Sequence, residues 1–361
     1  MEKFYKGKKV LITGHTGFKG SWLCEILKCF GAEVVGYALD APTSPALFEL
    51  LNMKDGISSY CADIKNLNEL LHVFEVERPE IVIHMAAQPI VRESYKNPVE
   101  TYATNVMGTV NVLECVRCTE SVKSVVNVTT DKVYKNNEWE RGYVETDILD
   151  GYDPYSNSKS CSELVTHSYV QSFLQEKQVA VSTCRAGNVI GGGDFAKDRI
   201  IPDCVRAVEK KEIIEVRNPY STRPYQHVLE PLFAYLMIAQ KQYENINYAN
   251  CYNVGPDDNN CVTTGELVST FCECWNEKVE GEQFILKWVN RSETGPHEAN
   301  FLRLNCDKIK NTFLWKPKWS IEQSLQKVVE LERCRLLNQG KELAEILEAC
   351  MRKQINEYMR G

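Results

Sequence analysis

The sequence predicts a doubly wound, parallel α/β sheet followed by a smaller C-terminal α/β unit. Three observations lead there. Strands and helices alternate through the first half of the chain, and the apolar runs at 124–128 and 179–184 read as strands covered on both faces. A glycine-rich turn, Gly14 to Gly20, joins the first strand to the first long helix, which is the opening unit of a Rossmann-type, dinucleotide-binding fold.

Residues 8–13 form the first apolar strand, and Gly14-His15-Thr16-Gly17-Phe18-Lys19-Gly20 opens a helix through Trp22, Leu23, Ile26 and Leu27. Glycines at this junction let the backbone turn sharply and let a diphosphate approach the helix N-terminus, where free N–H groups and the dipole attract anions. The second strand, 33–39, ends at Asp40. A carboxylate there accepts hydrogen bonds from the adenosine ribose and repels a 2′-phosphate, which favours NAD over NADP; a helix cap or loop acid is the alternative. Strands at 57–61 and 80–84 stop at Asp63 and at Ala86-Ala87-Gln88. Both ends fall at the carboxyl edge of the sheet, where Asp63 is a candidate for the adenine and the two alanines suit close passage of a cofactor. His84 reads as a core histidine satisfied by backbone groups.

A helix at 98–118 has a broad apolar face (Val106, Val110, Leu113) with Asn105 and Asn111 at polar positions. The strand at 124–128 then delivers Thr130, Asp131 and Lys132 to the carboxyl edge. After a polar and aromatic loop at 136–154 comes a helix at 155–175 that opens on Tyr155-Ser-Asn-Ser-Lys159. Positions i and i+4 share a helix face, so the ammonium of Lys159 favours the phenolate of Tyr155 and makes it a candidate base. The glycine-dense stretch from Arg185 to Phe195 follows the strand at 179–184 and signals a change of direction.

Beyond it come a helix at 202–211, a strand at 213–217, helices at 228–243 and 263–275, a strand at 284–289 and a helical tail at 320–359. Arg223, in a proline-fixed turn, offers a fork for phosphate oxygens or pairs with a surface carboxylate. The expected division is a dinucleotide-binding domain over 1–186, with part of 226–254, and a mainly substrate-binding domain over 187–361.

The chain has 361 residues, 43% hydrophobic and 25% charged, with a formal net charge of −7. Those proportions are globular, and the negative balance opposes a polyphosphate partner, so no nucleic acid is expected. Fifteen cysteines are scattered through apolar stretches without a disulfide framework, and Cys115 and Cys118 lie within a predicted helix with no second pair, so no metal is expected. The start lacks an apolar signal core and no run of 18 apolar residues occurs, which leads us to expect no membrane and a cytoplasmic protein.

With Gly14-x-x-Gly17-x-x-Gly20, Thr130-Asp131-Lys132 and Tyr155-x-x-x-Lys159 in this order, nearly the whole chain resembles the extended short-chain dehydrogenase/reductases that act on nucleotide sugars. The stretches from Thr13 to Leu23, Arg185 to Phe195 and Arg223 to Leu232 are similar to the branch of 4,6-dehydratases acting on CDP-glucose, as is Lys132, where most 4,6-dehydratases carry glutamate. The resemblance implies NAD as a tightly held cofactor and CDP-glucose as substrate. Tyr155 would deprotonate the sugar 4-hydroxyl with Thr130 bonded to the same oxygen, Asp131 would protonate the departing 6-hydroxyl, and Lys132 would take the C5 proton if its neutral form is populated. It also implies cofactor contacts at Gly14, His15, Gly17, Phe18, Lys19, Gly20, Asp40, Asp63, Ile64, Ala86, Ala87, Gln88, Asn105, Tyr155 and Lys159. Substrate contacts would be Asn188, Arg199, Arg223, His227 and His297. The helices at 98–118 and 155–175 imply pairing in a homodimer or homotetramer. A 4-epimerase would lack the acid and base after the threonine, and a non-catalytic NAD-binding protein would lack Tyr155 or Lys159.

Overall fold

Seven parallel strands form the centre of the computed structural model, which describes residues 1–257, 260–277, 284–291, 302–340 and 342–361. In chain order they are β1 (Lys9–Thr13), β2 (Glu33–Ala38), β3 (Ser58–Cys61), β4 (Ile81–His84), β5 (Ser124–Val128), β6 (Ala180–Ala186) and β7 (Cys251–Val254). Their spatial order is β7-β6-β5-β4-β1-β2-β3, and every pairing is parallel. The winding reverses between β1 and β4, so the loops leaving those two strands diverge and open a crevice at their carboxyl ends. The doubly wound α/β sheet expected from the sequence is the sheet observed.

Helices cover both faces. On one side lie α1 (Phe18–Cys29) and α5 (Leu229–Glu244), packed on Val10, Ile12, Ile83 and Val126. On the other lie α2 (Leu67–Glu77), α3 (Gly108–Cys118) and α4 (Pro154–Tyr169), over Leu11, Val35, Val82 and Val125. The alternation of Val10 and Ile12 with Leu11 is the two-residue strand period, and both sets are apolar because both faces are covered.

The helix expected over 98–118 is interrupted. Pro98–Tyr102 leads into a π-helical turn, Ala103–Met107, before α3, and a second such turn, Val170–Leu174, extends α4. A third cluster, separate from the sheet, joins Val205, Ile214, Phe271, Leu325 and Val328 from the second half of the chain. The tail at 320–359 is two helices, α6 (Ile321–Leu337) and α7 (Leu343–Arg360). α7 returns to the first half, where Arg352 Nε donates to Glu25 Oε1 of α1 at 2.7 Å.

Glu230, buried in α5, fastens this tail. Its Oε1 accepts from the backbone N–H groups of Lys318 (2.9 Å) and Trp319 (2.8 Å), and its Oε2 accepts from Tyr358 Oη at 2.6 Å. Burial raises the proton affinity of this carboxyl while the three donors oppose it. We expect Tyr358→Phe to lower stability by about 1–3 kcal/mol, read as a lower urea midpoint at unchanged slope, because one buried carboxylate oxygen then lacks its donor.

Candidate active site

A cleft of ≈ 840 Å³ runs along the carboxyl ends of β1, β4, β5 and β6, lined on the far side by residues 186–225. The glycine turn forms one end of its floor. Gly14 has φ +78°, and a Cβ there would stand 2.9 Å from the backbone N and Cα of Ala86. At Gly20 a Cβ would meet the Gly14 carbonyl oxygen at 2.2 Å. Glycine is therefore required at both positions, and the turn sits low enough for a dinucleotide to pass over it onto the start of α1.

A buried hydroxyl chain fixes that approach. Thr13 Oγ1 accepts from the N–H groups of Met85 and Ala86, both at 3.1 Å, so its own proton goes to His84 Nδ1 at 2.6 Å. The His84 Nε2–H then donates to Thr109 Oγ1 at 3.1 Å, and Thr109 donates to the Asn105 carbonyl at 2.7 Å. Burial, with Lys159 nearby, pushes His84 down to about 3 and keeps it neutral. His84 is thus a core histidine, satisfied by side-chain hydroxyls rather than by the backbone. Asn105, inside the π-helical turn, holds Gln88 on both its N–H (2.8 Å) and its carbonyl (3.1 Å) and reaches Ser158 of α4 at 2.9 Å. Gln88 and Asn105 stand behind the cleft wall and shape it from there.

α4 starts where Asp153 caps the N–H of Ser156 at 3.0 Å and Pro154 occupies the first turn. Its sheet-facing side carries hydroxyls, Ser158, Ser160, Ser162 and Thr166, that bond Asn105, Val133, Asn127 and Thr109. Tyr155 and Lys159 are thereby held over the end of β5. Lys159 Nζ donates to the Val128 carbonyl at 3.1 Å, and burial pushes it down to about 8, with Glu163 opposing. Tyr155 is raised by burial; Lys132, a hydrogen bond with Thr130, and Arg199 pull the other way, while Asp131 adds to the rise. The helix face does carry both residues, but the cation that most favours the phenolate is Lys132, and the ammonium of Lys159 is turned to the strand end.

Thr130, Asp131 and Lys132 lie at the mouth of β5. Asp131 is fully buried: its Oδ1 accepts from Thr130 Oγ1 (3.0 Å) and Lys132 Nζ (3.1 Å), while its Oδ2 has no hydrogen-bond partner. Lys132 Nζ also reaches Asn188 Oδ1 at 3.4 Å. Across the cleft, Arg199 Nη1 donates to Asp194 Oδ2 at 3.2 Å, and Arg223 is buried within the wall.

Of the expected residues, Gly14, Gly17, Phe18, Lys19, Gly20, Asp63, Ile64, Ala86, Ala87, Thr130, Asp131, Lys132, Tyr155, Lys159, Asn188, Arg199 and Arg223 all line this cleft. Asp40 lines an adjoining hollow with Thr16 and Leu39, where Cys61 Sγ donates to its Oδ1 at 3.2 Å. Two histidines are elsewhere. His15 is buried beneath β2 with its ring against Gly36 and Nε2 2.8 Å from Ser59 Oγ, and His227 is buried between Trp22 and Trp319. Neither side chain reaches the cleft. His297 lies outside the described residues. Sequence reasoning missed Asp194, which balances Arg199, and Thr16, whose Oγ1 ties the glycine turn to the Leu39 carbonyl at 2.9 Å. An acid directly after three glycines was the available signal for the first. Among the described residues no group of three or more His, Cys, Asp or Glu gathers to hold a metal, and no helix is long and apolar enough to cross a membrane.

Residues 11–328 match the family described as GDP-mannose 4,6 dehydratase. The chain is 44% identical to CDP-glucose 4,6-dehydratase of Salmonella typhimurium over 99% of this chain and 98% of that protein. Among solved structures it is similar to dTDP-glucose 4,6-dehydratase of Bacillus anthracis in complex with NAD (TM-score 0.72, 24% identity, 90% of this chain and 96% of that one). It is also similar to UDP-glucose 4-epimerase of Thermotoga maritima with UDP-glucose (TM-score 0.77, 22% identity, 91% and 99%). At those identities the structures speak for the fold.

Behind the site, Glu163 accepts four hydrogen bonds, two on each oxygen: Thr129 Oγ1 (2.5 Å) and Arg185 Nε (3.0 Å) on Oε1, Thr183 Oγ1 (2.6 Å) and Arg185 Nη2 (3.0 Å) on Oε2. Glu163→Gln leaves the buried guanidinium beside a neutral amide. We expect a loss of about 3–5 kcal/mol in chemical denaturation, well above the loss for an exposed ion pair.

Proposed function

The chain belongs to the GDP-mannose 4,6 dehydratase family, and on that premise we propose that it is a CDP-glucose 4,6-dehydratase, converting CDP-D-glucose to CDP-4-keto-6-deoxy-D-glucose and water. The observation that carries this reading is the convergence of Tyr155 with Thr130, Asp131 and Lys132 on one cleft that begins at a glycine turn. NAD is the cofactor, and when bound it accepts hydride from C4 of the sugar and returns it to C6. The residues that would hold it are the turn Gly14, Gly17 and Gly20, then Phe18, Asp63, Ile64, Ala86, Ala87 and Lys159, with Asp40 in the adjoining hollow available to a ribose. Residues 1–186 with part of 226–254 make up its domain, and residues 187–361 mainly bind the sugar nucleotide, whose diphosphate meets Asn188, Arg199 and Arg223.

Tyr155 Oη takes the proton of the sugar 4-hydroxyl, and Thr130 Oγ1 orients the same oxygen. Loss of water then needs an acid at O6 and a base at C5. Lys132 Nζ donates to Asp131 Oδ1 at 3.1 Å. The elimination requires Asp131 as the acid and Lys132 as the amine base, and the buried Oδ2 of Asp131, which has no hydrogen-bond partner, is the oxygen placed to hold the acid's proton. Lys132 Nζ removes the C5 proton and Asp131 releases its proton to the departing hydroxyl; the Lys132 ammonium returns a proton to C5 as C6 receives hydride, and the proton taken by Tyr155 makes up the one Asp131 lost. A second copy of the chain is the expected partner. Val99 (82% exposed), Met107 (52%), Leu164 (57%) and Phe173 (44%) stand out on the two neighbouring helical segments at 98–118 and 154–174.

The decisive experiment supplies CDP-glucose, dTDP-glucose, GDP-mannose and UDP-glucose separately with NAD and follows the alkali-induced absorbance of a 4-keto-6-deoxy product. CDP-glucose alone should give product, and Lys132→Met should abolish deuterium uptake from solvent at C5; no product from any of the four would refute a dehydratase. Sedimentation velocity should find a dimer or tetramer that Leu164→Glu converts to a smaller species.

A further inference from the structure

The segment 191–199 has no regular structure; it runs from the short strand Val189–Ile190 to the helix Ile200–Lys210 and lines the cleft with Asp194, Phe195 and Arg199. Its course is therefore set by what grips it from outside. Trp22 Nε1 donates to the Gly192 carbonyl at 3.0 Å, and Arg206 donates to the carbonyls of Phe195 and Ala196, both at 3.2 Å. A further grip comes from α6. Glu332, 1% exposed, accepts from the Gly193 N–H on Oε1 at 2.7 Å and from Arg335 Nε on Oε2, also at 2.7 Å. The Arg335 guanidinium in turn lies 5.0 Å from the centre of the Phe195 ring. Gly193 has φ +84°, and a Cβ there would stand 2.8 Å from Leu47, so the turn is closely fitted on its other side as well.

The residue after Gly193 is the buried Asp194, whose Oδ1 accepts from the Ala196 N–H at 3.0 Å and whose Oδ2 accepts from Arg199 Nη1 at 3.2 Å. Glu332 and Arg199 are thus joined through one peptide N–H and one carboxylate. A buried carboxylate makes a strong, directional bond to a peptide N–H, and the N–H of Gly193, itself buried, would be left unpaired without it. We propose that Glu332 is a positioning residue for the reaction: it fixes Gly193, and with it the Asp194 carboxylate that aims Arg199 across the cleft. That Arg199 meets the diphosphate of a nucleotide sugar rests on the dehydratase reading, whereas the tie from Glu332 to Arg199 does not. Tyr155, Thr130, Asp131 and Lys132 are carried by α4 and the end of β5, outside this series of bonds. Glu332 therefore governs how firmly the diphosphate is held, and not the proton transfers.

Two substitutions separate the reach of Glu332 from its charge. Glu332→Asp keeps a carboxylate beside Arg335 but draws it back from Gly193, whereas Glu332→Gln keeps an acceptor at full reach without the charge. With CDP-glucose and saturating NAD we expect Glu332→Asp to raise KM roughly tenfold with kcat within about twofold, and Glu332→Gln to stay within about threefold of wild type in KM. Arg199→Met should also raise KM, and adding Glu332→Asp to it should change little further, because the arginine through which Glu332 acts is gone. Mere loosening of the fold would instead multiply the two losses. If the protein turns over none of the four nucleotide sugars, the same cycle is read on the Kd of inorganic pyrophosphate by titration calorimetry of the full chain. Pyrophosphate binding that obeys the cycle without turnover would sink the dehydratase reading and leave the positioning role standing. Losses that multiply, a Glu332→Gln protein as weak as Glu332→Asp, unchanged binding in Glu332→Asp, or a wild type with affinity for neither ligand would overturn the proposal.

Discussion

Everything at the reacting end of the cleft hangs on one buried ion pair. Glu163 and Arg185 are only a few per cent exposed, and their mutual bonds, with Thr129 and Thr183, tie α4 to the ends of β5 and β6. Arg185 continues outward to Tyr134 Oη (2.8 Å) and the Glu145 carbonyl (3.0 Å), so the loop after β5 is held by the same guanidinium. Burying both charges is costly, and the four filled positions on the carboxylate are what offset it. The return is positional: Lys159 and Tyr155 lie one and two turns from Glu163 on the same helix, so fixing Glu163 against two strands fixes them against Thr130.

The charges of the cleft are arranged in two tiers. Cations with a carboxylate to answer them, Lys132 with Asp131 and Arg199 with Asp194, stand where a sugar and its diphosphate would pass. Lys19 answers instead to a phenol, and Lys159 to a carbonyl with Glu163 one turn behind it. A neutral hydrogen-bond partner leaves Lys19 able to respond to whatever anion is brought in, whereas the first tier is already compensated.

Much of this was legible beforehand because strands buried on both faces must be written as unbroken apolar runs, and because glycines are forced where Gly14 meets Ala86 and Gly20 meets Gly14. What escaped is what depends on side-chain direction and helix register. A π-helical turn at Ala103–Met107 leaves no mark in a three- and four-residue periodicity, yet it aims Asn105 at Gln88. Closeness in sequence sets His15 among the cofactor glycines and His227 near Arg223, but one ring is folded under β2 and the other sealed between two indoles. The i and i+4 spacing correctly puts Tyr155 and Lys159 on one face, but cannot say that the β5 carbonyl competes for the ammonium.

The contact between α1 and α7 spans 327 residues, from Glu25 to Arg352. On the ribosome α1 is synthesised among the first elements and α7 after everything else described here, so the helix behind the glycine turn spends nearly the whole of translation without its cover. Trp22 meanwhile awaits the Gly192 carbonyl, and Gly192 in turn packs on Leu331 of α6. Nascent chains arrested before the tail emerges would therefore bear a formed sheet beside an unfinished nucleotide cradle, and competence to bind would arise late and all at once rather than growing with length.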